Sequence, residues 1–341
     1  MTPTEAYIAR LTKRAAQMSP ELARAQLRAY EMIREVLTEA ELARAIRSGE
    51  MDALIDGILN DKTDGPFLRL KAKLDQATIN ATVAESRFLP SRFQAVVFDT
   101  LSPHVVEAVQ RLDTRVIDTL RAEVRESVRT QVRLGIEAGK GPRVIARELR
   151  PLIGLAPNQA KAVANFRRQL ETGDRLALDR VLGRGVVTLP EGGTIHRRGH
   201  ANGQGLSARD MGILDRKLGD EALTPEQIDR MTAAYSKRML AWNAETHART
   251  MALDANKLAQ QLSWEDAVAR GVVNATDLEE TWTAVGGANG DGRNREEHLA
   301  MHGETIPFGG VFSNGERIPG ESTYNCRCLK RTTIKRMAVA A

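Results

Sequence analysis

After residue 290 the chain places His298 and His302 four apart, and Cys326 and Cys328, its only two cysteines, two apart. Residues four apart on a helix share a face, and residues two apart on a strand project the same way. The four could therefore converge as a two-cysteine, two-histidine zinc set. The same residues allow two other readings. Cysteines can serve as small buried hydrophobes, with Arg293, Arg295 or Arg327 held by Asp291, Glu296 or Glu297 in charge-assisted pairs that lock a helix onto strands. A cysteine beside His298 would also make a nucleophile and base. Against that stands the lack of an identifiable third residue to orient the pair, and of any phosphate loop, G-x-S-x-G or H-E-x-x-H motif.

A second candidate is the C-terminal run of cations. Arg327, Lys330, Arg331, Lys335 and Arg336 follow Glu321 with no acidic residue after it. Lys330, Arg331, Lys335 and Arg336 are candidate contacts to DNA phosphates, or a solvated tail. The chain as a whole is only mildly basic, with 49 Lys and Arg against 44 Asp and Glu and a net charge of +5. His196 and His200 are also four apart, but the glycine-rich stretch around them suits surface histidines better than a helical metal site.

In order, the motif residues are Asp291-Gly-Arg293-Asn-Arg295-Glu-Glu-His298, His302-Gly303, Ile306-Pro-Phe308, Pro319-Gly320 and Asn325-Cys326-Arg327-Cys328. This string resembles the C-terminal module of tailed-phage head-morphogenesis proteins, the minor capsid family typified by the F protein of phage Mu. Gly154 to Leu170 is similar to a helical segment that these proteins carry mid-chain. Arg238 to Thr250 sits where they carry an arginine-rich helix, although Glu245 here precedes Arg249-Thr250 instead of following them. No motif before about Gly139 aligns. The resemblance implies a non-enzymatic minor head protein that joins the portal at one vertex, enters in few copies, and influences DNA packaging or ejection. Its implied partners are the portal protein, capsid or scaffold proteins and packaged DNA through the basic tail, with no membrane. Its implied location is the virion head interior or portal vertex, and the host cytoplasm during assembly. The alternative is a DNA-binding or metal-dependent enzyme that uses the His298, His302, Cys326 and Cys328 set.

The elements that must position these residues are mainly helical. With 341 residues and 42% hydrophobic content the chain can bury a sizeable core, and aromatics at 4% leave a composition that favours helices over sheets. No run approaches the ~18 apolar residues of a membrane span, and the N-terminus lacks the layout of a signal peptide. A lone C-x-C pair is no disulfide framework, which fits a reducing cytosol.

Ser19-Pro20 predicts a helix start, with Leu22, Ala25, Ala29, Ile33 and Val36 as its face. Thr38 and Glu41 have capping-box spacing, and Gly49 can close that helix. A helix is expected from Pro66 to about Ala84. The longest apolar stripe starts after Ser102-Pro103 and runs through Val105, Val109, Leu112, Val116, Leu120, Val124 and Val128 until glycine at 135 to 141. Pro142 to Leu152 and Pro157 to Leu170 predict two short helices, the second with Arg167-Arg168. That pair has the outline of a helix-turn-helix reader but specifies no base. Thr224 to Gln227 caps a helix to about Leu262 that carries Met231, Tyr235, Met239, Trp242 and His247. A strand is expected over Glu280 to Val285, a short helix over Arg295 to His302, and a hairpin about Asn314-Gly315. The expected fold is mainly α, a helical N-terminal region with a small C-terminal α+β module. The expected segments are a helical 1–138, a helical 139–262 with an irregular loop at 183–210, and an α+β module with a basic tail at 263–341.

Overall fold

The computed structural model describes residues 3–60, 65–89, 99–100, 102–174, 179, 186–188, 194–196, 205–217, 221–287, 294–321 and 326–335. The fold is mainly α with a small antiparallel sheet near the C-terminus, as expected. In chain order its elements are α1 (Pro3–Val36), α2 (Glu39–Ser48), α3 (Met51–Leu59), α4 (Leu68–Ser86), α5 (Pro103–Glu137), α6 (Pro142–Leu149) and α7 (Pro157–Thr172). After the short strands β1 (Val186–Thr188) and β2 (Thr194–His196) come α8 (Ala208–Lys217) and α9 (Pro225–Ala269). The C-terminal elements are β3 (Leu278–Thr283), α10 (Glu296–Ala300), β4 (Thr305–Pro307) and β5 (Leu329–Ile334). No helix among the described residues is long and apolar enough to cross a membrane.

The helix expected to start at Ser19-Pro20 is instead the second half of α1, which carries Pro20 in its interior. Proline withdraws one N–H from the helix ladder, yet Leu11, Ala15, Leu22 and Ala29 on either side are all buried. Tertiary packing of that stripe outweighs the local break. The stripe ends at Ile33 and Leu37, whereas Val36 is exposed. Capping chemistry placed the other starts correctly. Thr38 and Glu41 form the capping box and Gly49 closes α2 in the left-handed region, while Thr224 and Gln227 exchange the same pair of bonds ahead of α9. On α5 the stripe is buried as expected except at Val116, which is half-buried beside a buried Ile117.

Backbone contacts group the chain into two compact units: residues 1–26, 67–118 and 244–341, and residues 27–66 and 119–243. The sequence reading set consecutive boundaries instead, and its 262/263 boundary falls inside α9.

In the second unit, Gly154 holds φ +91° with the Tyr30 ring where a side chain would begin, 2.5 Å from an added Cβ. Asn243 Nδ2 donates to the Gly154 carbonyl at 3.2 Å, and Phe166 and Tyr235 rings meet at 4.7 Å. Arg167, half of the arginine pair on α7, is held by Glu148, Glu171 and Asp229 at 3.4, 2.9 and 2.5 Å, so its charge is already matched. Trp242, carried by α9, is exposed, and Leu240 is buried near it. Within the glycine-rich stretch β1 and β2 pair antiparallel, Val186 opposite His196. His200 lies outside the described residues.

In the first unit, Val105, Ala108 and Val109 of α5 pack with Leu262, and with Ile79 and Val83 of α4. Glu85, 4% exposed, accepts from Arg10 at 3.0 Å and Arg14 at 2.7 Å. His247, on α9, contacts Gln26 at 3.0 Å, and burial pushes its imidazole down to about 4. A second cluster joins Trp264 and Ala267 to Val273 and Leu278, with Phe308 and Ile334 against it. The sheet has strand order β4-β3-β5, with Glu280 opposite Ile306 on one side and Thr332 on the other. Asn314-Gly315 forms a tight turn closed by Phe312 and Glu316, but among the described residues no ladder flanks it, so what is seen of the expected hairpin is the turn.

Candidate functional site

The strand before the motif has a buried face made of Leu278, Glu280 and Trp282. Across from it, Cys326 and Cys328 just before β5 and Lys330 and Thr332 within it are all buried, a two-residue spacing that suits one face of an extended chain, although Leu329 between them is buried too. The five-residue α10 starts at Arg295, whose extended backbone ends in a carbonyl that accepts the His298 and Leu299 N–H groups at 3.1 and 3.0 Å. That turn points His298 inward, where it is 6% exposed.

His298 Nδ1 lies 3.2 Å from Cys326 Sγ and 3.9 Å from Cys328 Sγ. Cys326 and Cys328 are 5% and 2% exposed. Trp282 closes one side, its indole edge-on to the His298 ring at 5.5 Å and 87°, and to Phe312 at 5.2 Å and 85°. Such aromatic pairs add about 0.5–1.5 kcal/mol each beyond the area they bury. Lys257 of α9, also buried, donates to the carbonyls of Pro319 at 2.7 Å and Cys326 at 3.2 Å. Gly320, at φ +84°, touches the other side of Cys326, and its N–H donates to the buried Glu316 carboxylate at 2.8 Å.

These neighbours split the two thiols. Cys326 is drawn down to about 6, first by the hydrogen bond from Cys328, against burial and with help from the Lys257 charge. Cys328 is pushed up by that same hydrogen bond, by burial and by the negative charge on Cys326. The Trp282 N–H pulls Cys328 back toward ionisation but makes no well-aligned hydrogen bond. The two shifts run in opposite directions, the cluster favouring ionisation of Cys326 and protonation of Cys328.

Of the residues singled out in sequence, the structure brings His298, Cys326 and Cys328 together as a possible metal-binding triad, with ligand atoms within 4.8 Å of one another. His302 is not part of it. The expected helix over 295–302 stops at Ala300, so the four-residue spacing no longer puts both histidines on one face. His302 Nδ1 instead accepts the Ala284 N–H at 3.1 Å. Arg327, between the cysteines, is half-buried, and Arg295 contributes the backbone of the α10 start. Asp291, Arg293 and Arg336 lie outside the described residues.

Lys330 needs correction as a DNA contact. It is 3% exposed, and its ammonium sits 2.9 Å from Glu280, itself 0% exposed. Arg331 donates to Thr4 at 2.6 Å. Lys335 is exposed and donates to the Thr276 carbonyl at 2.7 Å. Sequence reasoning missed Glu280, Lys257 and Trp282 as parts of the site. The parity of Cys326, Cys328, Lys330 and Thr332 was the available signal for Lys330 and its partner. Nothing in the sequence around Lys257, on a helix far upstream, marks it as a neighbour.

Comparison with known proteins returns no match: no family model, no curated protein and no solved structure matches the chain significantly. The site must be read from its own chemistry. Its burial argues against the nucleophile role, since a substrate carbonyl would have to reach the sulfur of a residue that is 5% exposed. What the arrangement does well is tie a short helix, a glycine turn and a strand into one cluster.

Proposed function

We propose that this chain is a non-enzymatic minor head protein of a tailed phage, joining the portal during head assembly and residing at the portal vertex or inside the head. Capsid or scaffold proteins and packaged DNA are its further partners. The observation that carries the reading is convergence. His298, Pro319-Gly320, Cys326 and Cys328 belong to the ordered string that resembles the phage Mu F family, and they meet in one buried cluster. Residues that far apart in sequence and jointly buried make a structural signature, in contrast to separate surface motifs. Contact with DNA falls on this reading to Arg331, Lys335 and Arg336. The cofactor class that suits the role is a zinc-type ion at the triad.

His298→Ala separates this reading from catalysis. A buried imidazole in contact with a thiolate should cost about 1.5–3 kcal/mol when removed. Melting temperature and incorporation into heads are therefore expected to fall together. Unchanged melting and incorporation with infectivity lost would contradict the structural role and favour an enzyme.

A further inference from the structure

The geometry points to a three-ligand site for one thiophilic divalent cation of the zinc class, held by His298 Nδ1, Cys326 Sγ and Cys328 Sγ. This rests on the reading of the C-terminal module as a structural lock, and adds the ligand atoms and the number of ions they hold.

The donor set selects the ion. Two sulfurs and an imidazole are soft ligands that suit zinc and related metals, not magnesium or calcium, which take oxygen. Zinc lies about 2.3 Å from sulfur and about 2.0–2.1 Å from nitrogen, so tetrahedral ligands stand about 3.6 Å apart for sulfur and nitrogen and about 3.8 Å for two sulfurs. The two sulfur-to-nitrogen distances here are 3.2 and 3.9 Å, which bracket the required value. The two sulfurs also lie within 4.8 Å of each other.

The surroundings fit an electron-rich sulfur pair. A buried lysine lies against Cys326 through its carbonyl, and a buried indole N–H without a well-aligned partner stands on the Cys328 side. Two ionised sulfurs side by side would repel each other, and a cation held between them removes that repulsion. The site is also closed to bulk water by Trp282, Phe312 and Met301, a dry shell of the kind that holds a bound metal. Two of the three ligands have separate anchors: α10 for His298, and the Gly320 contact for Cys326.

The test uses the full-length chain purified under reducing conditions. Elemental analysis is expected to find about one zinc per chain, and cobalt(II) titration of the metal-free protein should give a thiolate charge-transfer band that saturates at one equivalent. Zinc should raise the melting temperature and chelator should lower it, because an ion that binds only the folded state stabilises it by mass action. Cys326→Ser with Cys328→Ser should lose the band and the zinc response. Because that variant could fail to fold, wild-type protein carries the decision. Reduced wild type that takes up neither ion, with a melting temperature indifferent to zinc and chelator, would overturn the site. Equal uptake by the folded double-serine variant would overturn it too. Loss of the metal site leaves the head role standing, since binding to the portal is measured separately.

Discussion

At Gly320 the backbone sits at φ +84°, and a Cβ would fall 2.3 Å from the Cys326 Cβ and 2.9 Å from its sulfur. Gly303 has a similar φ of +89° with nothing within 4 Å. The two glycines therefore separate backbone strain from crowding. Gly303→Ala should cost about 1–2 kcal/mol, the left-handed penalty alone. Gly320→Ala adds overpacking of about 1–3 kcal/mol, so chemical denaturation should show it to be clearly the worse of the two. Equal losses would mean that the Cys326 cluster yields easily. At this scale the sequence marked the cysteine pair and His298, because alternation and residue type are local properties. It misplaced His302 because helix length decides which face a residue shares, and α10 ends too soon. It misread Lys330 because a run of cations looks solvated until a buried carboxylate on a neighbouring strand is known.

Between elements, the deciding contact is the pairing of β3 with β5. Glu280 and Lys330 are both buried there, as an ion pair at 2.9 Å, and the second Glu280 oxygen accepts the Gly309 N–H at 3.2 Å. Removing one partner strands the other charge in the interior. Lys330→Met is therefore expected to cost about 3–5 kcal/mol, while Lys330→Met combined with Glu280→Met should recover most of that loss. Additive losses in a double-mutant cycle would show that the two charges do not depend on each other. Helix boundaries were legible wherever capping chemistry marked them, at Thr38, Gly49 and Thr224. They were illegible at Pro20, where a local stop signal yields to a buried stripe on both sides. Asn314-Gly315 gave the turn but not a hairpin, since a turn residue fixes its own dihedrals and not the pairing of what flanks it.

For the whole molecule, the helical class followed from composition and periodicity, but the grouping of helices did not. Residues 1–26 belong to the same compact unit as 244–341, with Tyr7 donating to the Lys330 carbonyl at 2.7 Å and Arg14 to Asn256 at 3.3 Å. Such pairings join residues far apart in sequence, and periodicity reports only that a face is buried, not against what. The proposed function is also a property of the whole molecule, because a minor head protein is defined by what it assembles with. The most direct measurement is co-expression of the chain with the portal protein of the same phage, followed by affinity capture and electron microscopy. The chain is expected to co-purify with ring-shaped portal oligomers, in few copies per ring. Rings recovered free of the chain, with the chain folded and soluble in the same lysate, would contradict the proposed role.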